Sequence, residues 1–141
     1  MKRENRAFLI CPVRNATVED IARFVGIVRQ LEDCGWTVHW PLRDTQQDAS
    51  EINICLQNLN AIRMADWVFV IFDPGSYGSH FDLGMAFALG KNMYIIESPE
   101  PTEDKNFVDL LRAWEGHTKM FSKISPGDVV FHVLEGTKVV P

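Results

Sequence analysis

The chain has 141 residues, 46% of them hydrophobic and 23% charged, with a formal net charge of −5. That length suits one domain over residues 1–141, able to bury roughly two-thirds of its unfolded surface without a disulfide or metal staple, and the composition excludes disorder as the main state. An acidic balance with no Lys/Arg run argues against a nucleic acid polymer or a membrane surface and for a small-molecule partner, because one Arg and a few backbone amides suffice for a single phosphate.

In chain order, Ala7 to Cys11 is a continuous apolar run ended by Pro12, as in a strand buried on both faces. Thr17 caps a helix predicted over 18–33, with Glu19 and Asp20 in its first turn and Ile21, Phe24, Val25, Val28 and Leu31 as its core stripe. Gly35 stops it, and Trp36 to Trp40 reads as a second strand closed by Pro41. A polar loop over 43–50 follows, then a helix opened by Ser50 with Ile52, Cys55, Leu59 and Ile62 as its apolar face. The strongest strand is Trp67 to Phe72. A turn rich in glycine and serine leads from it into a helix predicted from His80 to Leu89, stopped by Gly90. A strand at 93–96 and a helix at 107–114 come next, and the segments 118–121 and 129–134 are ambiguous in type.

Strand–helix alternation of this kind predicts a three-layer α/β fold, Rossmann- or flavodoxin-like, with a mostly parallel five-stranded sheet and right-handed crossovers. Ligands then bind beyond the carboxyl ends of the strands, near the switch in strand order. That rule points to residues 12–15, 41–47, 73–82 and 97–100. Cys11, Cys34 and Cys55 are odd in number and lack a CxxC pattern, so neither a disulfide framework nor a zinc site is expected. With no signal-peptide core and no stretch long enough to span a bilayer, a reducing cytoplasm is the expected location.

The segment Asp73-Pro-Gly-Ser-Tyr-Gly-Ser-His-Phe-Asp82-Leu-Gly84 places an acid just after the strongest strand. Gly75 and Gly78 permit a tight turn and close approach of backbone to a ligand. Asp82 is expected in the first turn of the next helix, where the dipole helps keep it ionised. There it serves either as a carboxylate for glycosyl transfer or simply as a helix-start acid. Asp73 is placed to orient a sugar hydroxyl or to form the turn. Arg14 is a phosphate ligand or an exposed loop cation, and Ser76 and Ser79 offer hydroxyl donors. His80 is expected to face solvent and His39 to be structural. The four tryptophans read as core, with Trp40 near the mouth of the site, and the acidic run 97–104 as a solvated loop or a mobile cover.

The stretch Ser76 to Lys91, with Asp82-Leu-Gly84-Met-Ala86 and Gly90-Lys91, resembles the signature of the nucleoside 2-deoxyribosyltransferases and the related 2′-deoxynucleoside 5′-phosphate N-hydrolases. The segment 57–66 is similar to the family's preceding helix, and Pro41 to Gln46 to its base-reaching loop; the likeness covers roughly residues 7 to 96. The resemblance implies cleavage or transfer at the N-glycosidic bond of a (2′-deoxy)nucleoside or its 5′-monophosphate. It implies Asp82 as nucleophile, Asn58 near the sugar or base, Asp44 and Gln46 at the base, and Arg14 at a 5′-phosphate, to which Ser76 and Ser79 could add donors while Gly78 permits close backbone approach to the substrate. It implies no cofactor or metal, and a homo-oligomer with a shared active site. One residue departs from the pattern: the family's nucleophile is a glutamate. Aspartate falls roughly 1.5 Å short unless the backbone compensates, and a displacement of that order costs about a hundredfold in rate. A nucleotide-binding or sensor module without turnover is the alternative on the same fold. A phosphoacceptor domain fits less well, since Pro12 and Arg14 stand where its acids would be.

Overall fold

The computed structural model describes residues 5–99 and 107–121. The elements are β1 (Asn5–Ile10), α1 (Val18–Asp33), β2 (Trp36–His39), α2 (Pro41–Asp44), α3 (Glu51–Met64), β3 (Trp67–Ile71), α4 (Tyr77–Ala88), β4 (Asn92–Glu97) and α5 (Phe107–Phe121). The four strands are parallel, in the order β2-β1-β3-β4.

Alternation of side chains along the central strands sorts the core into two layers. Ala7, Leu9, Trp67, Phe69 and Ile71 point to one face and pack under α1 with Phe24, Ile27, Val28 and Leu31. Phe8, Ile10, Val68 and Val70 point to the other, against Ile62 of α3, Leu83 and Ala86 of α4, and Leu111 and Trp114 of α5. The strands bury both sides, so they read as unbroken apolar runs; every residue of β3 is buried.

Helix α1 begins where Thr17 accepts from the Asp20 amide and Asp20 accepts from the Thr17 amide, each at 3.0 Å. This is a reciprocal capping box. Gly35, at φ 94°, lets the chain turn back into β2. Gly90, at φ 67°, does the same after α4, and the adjacent Lys91 ammonium donates to the Arg63 and Ala65 carbonyls, tying off the end of α3.

Four differences from the sequence expectations matter. The described sheet has four strands, not five. At the outer edge of β4, the Met93 amide donates to Thr118 Oγ1 and the Ile95 amide to the Glu115 carboxylate. Side chains of α5 therefore occupy donors a further strand would use. Residues 118–121 belong to α5; 129–134, and 100–104 of the acidic run, lie outside the described residues. The polar loop after β2 opens with the helical turn α2, started by Pro41 at its first position. Helix α3 is rotated relative to its expected face: Ile52 is exposed, and the inward row at four-residue steps is Ile54, Asn58 and Ile62. Helix α4 starts three residues earlier than predicted, at Tyr77, because the Ser76 hydroxyl accepts from the Ser79 amide and caps it. Among the described residues, no helix is long and apolar enough to cross a membrane.

Candidate active site

The connection from β1 runs over one face of the sheet to β2, while that from β3 runs over the other face to β4. The loops leaving the adjacent β1 and β3 therefore diverge, and a crevice opens between them. A cavity of about 430 Å³ occupies it, a size suited to a small organic ligand. The post-β1 segment contributes Cys11, Arg14 and Asn15, the α2 region Pro41 and Gln47, α3 Ile54 and Asn58, and the turn before and into α4 Asp73 and residues 75–79, 81 and 82. Residues 97–99, the described part of the fourth loop indicated by the strand-end rule, do not line it, and residue 100 lies outside the described residues.

Asp82 is the sixth residue of α4, a full turn deeper than its expected first-turn position, and 9% exposed. The dipole benefit falls off beyond the first turn, and burial now dominates: it pushes the carboxyl up to about 7, against the lowering effect of the Asn58 hydrogen bond. The expectation of an acid kept ionised by the helix start is thus corrected; removal from water outweighs the dipole. Among the described residues no ion pair involves this carboxylate.

Asn58 reaches Asp82 from α3, donating through Nδ2 to Oδ1 at 3.4 Å. Behind it, the Thr45 hydroxyl donates to Asn58 Oδ1 at 2.6 Å, and His39 Nε2 lies 2.8 Å from Thr45 Oγ1. Sequence reasoning left Thr45 without a role and His39 as structural. The residue step between them, from the end of β2 to the end of α2, carries no periodic signal that pairs them with Asn58.

Of the predicted base-reading residues, neither Asp44 nor Gln46 lines the cavity. The Asp44 carboxylate accepts from the Trp40 amide at 2.9 Å and from Arg43 at 2.8 Å, closing the α2 turn. Burial works against its charge, but the Arg43 guanidinium and the Trp40 amide outweigh it and hold the carboxyl below its usual value. The Gln46 amide donates to Gln57 Oε1 of α3. Gln47 takes the cavity position, its own amide group held by the Pro41 carbonyl at 2.7 Å.

At the start of α4, Asp73 Oδ1 accepts from the Gly75 amide at 2.9 Å, so this side chain builds the turn while also lining the cavity. Ser76 and Ser79 hydroxyls lie 2.9 Å apart. Neither Gly75 nor Gly78 has positive φ; what Gly78 provides is space, since a Cβ there meets nothing within 4 Å. Arg14 is exposed and lines the cavity. The cavity therefore brings together Asp82, Asn58, Arg14, Asp73, Ser76, Gly78 and Ser79.

His80 and Trp40 fall outside it. His80 does not face solvent freely: Nδ1 lies 2.6 Å from the Ser76 carbonyl oxygen, and its ring packs edge-on to Phe72 and Phe107. Trp40 is 5% exposed and belongs to the core beneath the mouth. Cys11 does line the cavity, but burial pushes its thiol up to about 12, far from a reactive thiolate. Cys55 is half-buried and Cys34 exposed. Among the described residues no cluster of three or more His, Cys, Asp or Glu is arranged to hold a metal ion.

Comparison with solved structures finds the same fold in a CMP N-glycosidase from Clostridium botulinum, at 21% identity over 77% of this chain and 81% of that one, with a TM-score of 0.55. The 2-deoxyribosyltransferase from Leishmania mexicana aligns at 20% identity over 67% of this chain and 65% of its own, with a TM-score of 0.54. The 2-deoxyribosyltransferase of Bacillus psychrosaccharolyticus aligns at 20% identity over 74% and 89%, with a TM-score of 0.54. A search of curated proteins finds no match. The model of the nucleoside 2-deoxyribosyltransferase family matches residues 11–111, which span β3, the turn into α4 and the Asp82 helix as well as the Asn58 helix. The chain belongs to the nucleoside 2-deoxyribosyltransferase family.

Proposed function

We propose that this protein cleaves or exchanges the base at the N-glycosidic bond of a (2′-deoxy)nucleoside or nucleoside 5′-monophosphate, with Asp82 as nucleophile. The observation that carries the reading is the buried carboxylate of Asp82 at the crevice between β1 and β3, with a single amide donor facing it. A carboxylate in such a setting is poorly solvated and gains by bonding to an electron-poor anomeric carbon. An Asp82 oxygen attacks C1′, and the C1′–N bond electrons leave with the base, which takes a proton from solvent; the water or base that attacks next gives one proton back. Water or a second base then attacks C1′ and releases the carboxylate, giving hydrolysis or transfer. Asn58 orients the carboxylate, and Asp73 lies where a sugar hydroxyl can reach it. Arg14, which lines the same cavity, would with Ser76, Ser79 and the open approach at Gly78 hold the 5′-phosphate. The family membership and the CMP N-glycosidase likeness support this substrate class. The exposed free thiol of Cys34 accords with action in a reducing cytoplasm.

We infer further that the site is completed in a homo-oligomer. Tyr77 and Phe81, 90% and 62% exposed, line the cavity, and Ile52 and Leu56 are exposed apolar residues one turn apart on α3.

Purified protein incubated with deoxynucleosides and their monophosphates, with and without acceptor base, should release or exchange base at a rate lost in Asp82→Ala. Equal rates for the two proteins would refute the proposal. The second reading, a nucleotide-binding module without turnover, draws on a carboxyl held neutral up to about 7. It predicts ligand-dependent thermal stabilisation with no base release.

A further inference from the structure

We infer that Thr45 and His39 are positioning residues for the Asp82 nucleophile, acting through Asn58 by dictating which end of its amide faces the carboxylate. The inference rests on the functional reading above for its catalytic consequence, but the chain of contacts stands on geometry. An asparagine amide presents a donor at one end and an acceptor at the other, and at the carboxylate the two have opposite effects. Thr45 Oγ1 donates its single proton to Asn58 Oδ1 at 2.6 Å. With that oxygen engaged, the Nδ2 end faces Asp82. A hydroxyl that has spent its proton can only accept from another neighbour, so His39, at 2.8 Å, must donate from Nε2.

His39 is suited to that fixed role. Its ring stacks on Phe8 at 5.3 Å and 8°. Burial lowers its pKa, against the raising effect of Asp44, so the ring stays neutral with one N–H to give. Thr45 and Asn58 are 3% and 7% exposed, so neither is open to solvent that could replace a lost partner. The turn bearing Thr45 is itself braced. Arg43 donates to the Val38 carbonyl at 2.7 Å and pairs with Glu32 of α1 at 3.2 Å, and Asp44 holds the Trp40 amide.

The consequence is electrostatic. With Nδ2 forward, Asn58 stabilises the ionised carboxylate, the form that attacks C1′. With the amide reversed, its oxygen would accept from a protonated Asp82 and favour the inactive form. The other ionisable groups lining the cavity with Asp82 are Cys11 from the end of β1, Arg14 beyond it, and Asp73 and Tyr77 at the start of α4; α3 contributes none.

The test is the titration of the Asp82 carboxyl carbon, followed by NMR in Asp-labelled protein with Asp82→Asn identifying the signal, alongside the pH profile of base release. Thr45→Val, which removes the hydroxyl, should raise the Asp82 midpoint by about one pH unit. It should also move the acid limb of kcat upward with KM little changed, and Thr45→Ser should restore both. His39→Phe keeps the ring on Phe8 but removes the donor; it should shift the midpoint in the same direction, and it carries the test if Thr45→Val does not fold. A Thr45→Val midpoint equal to wild type, or one that Thr45→Ser fails to restore, overturns the inference. A wild-type protein that releases no base overturns the functional reading alone, because the carboxyl titration still decides whether Thr45 and His39 set the Asp82 charge.

Discussion

Asp82 is costly to the fold in the form its proposed chemistry uses. Its folded pKa, near 7, lies above the ordinary 3.8, so the fold favours the neutral carboxyl. The stabilising contribution of the neutral form is complete below about pH 3.8 and is lost as pH rises through about 7. The proposed turnover runs the other way, because Asp82 as nucleophile would have to be ionised, and kcat should rise through the same window. Asp82→Asn keeps the shape and an acceptor for Asn58 but cannot ionise. We expect it to be inactive yet more stable at pH 8, by at most about 4 kcal/mol, with the gain vanishing near pH 4. Denaturant unfolding at the two pH values checks this, and a variant less stable than wild type at pH 8 would show that burial does not oppose the charge. At this scale, Asp82, Asn58 and Arg14 were legible because each lies within a motif or directly after a strong strand. Thr45 and His39 were not. Their partnership depends on α3 rotating Asn58 inward, which no periodicity in residues 51–64 announces, since Ile52 and Leu56 look as apolar as Ile54 and Ile62.

Among the elements, α1 was the most legible: its boundaries and its Thr17 cap follow from local hydrogen bonding alone. Ile27 is buried beside the predicted stripe because α1 covers the broad surface of β2, β1 and β3 rather than a single neighbouring helix. Helix α4 was misplaced at its start by three residues, because Ser76 as a cap competes with a glycine-containing segment that reads as loop. That shift carries Asp82 from the first turn into the second, and so from a dipole-favoured acid to a desolvated one. It also places Gly78 within the first turn, open to the cavity. Gly78→Ala meets no protein atom within 4 Å and should leave thermal stability unchanged or raise it, by up to about 1 kcal/mol. A methyl group there should still raise KM for a 5′-monophosphate severalfold by obstructing the backbone approach. Unchanged KM with unchanged stability would place the phosphate elsewhere.

For the molecule as a whole, the apolar rim of the cavity is the feature that points beyond one chain. Tyr77 and Phe81 are exposed beside the cavity, where the proposed carboxylate attack would gain from exclusion of bulk water. If a second copy covers them, Phe81→Asp should shift sedimentation toward the monomer and reduce base release together, while circular dichroism remains that of the folded chain. A monomeric wild type, or a Phe81→Asp assembly indistinguishable from it, would refute the shared site. The fold class, the parallel strands and a cavity beyond the strand ends were determined by the sequence alone, because burial on both faces, caps and breakers act over a few neighbouring residues. The tertiary structure decided the rest: which face α3 turns inward, that α5 side chains cover the β4 edge, that Asp44 braces the α2 turn and does not line the cavity, and that burial pushes the Asp82 carboxyl up to about 7. Each of these depends on which groups lose water when distant segments close on one another, and desolvation is a property of the assembled chain.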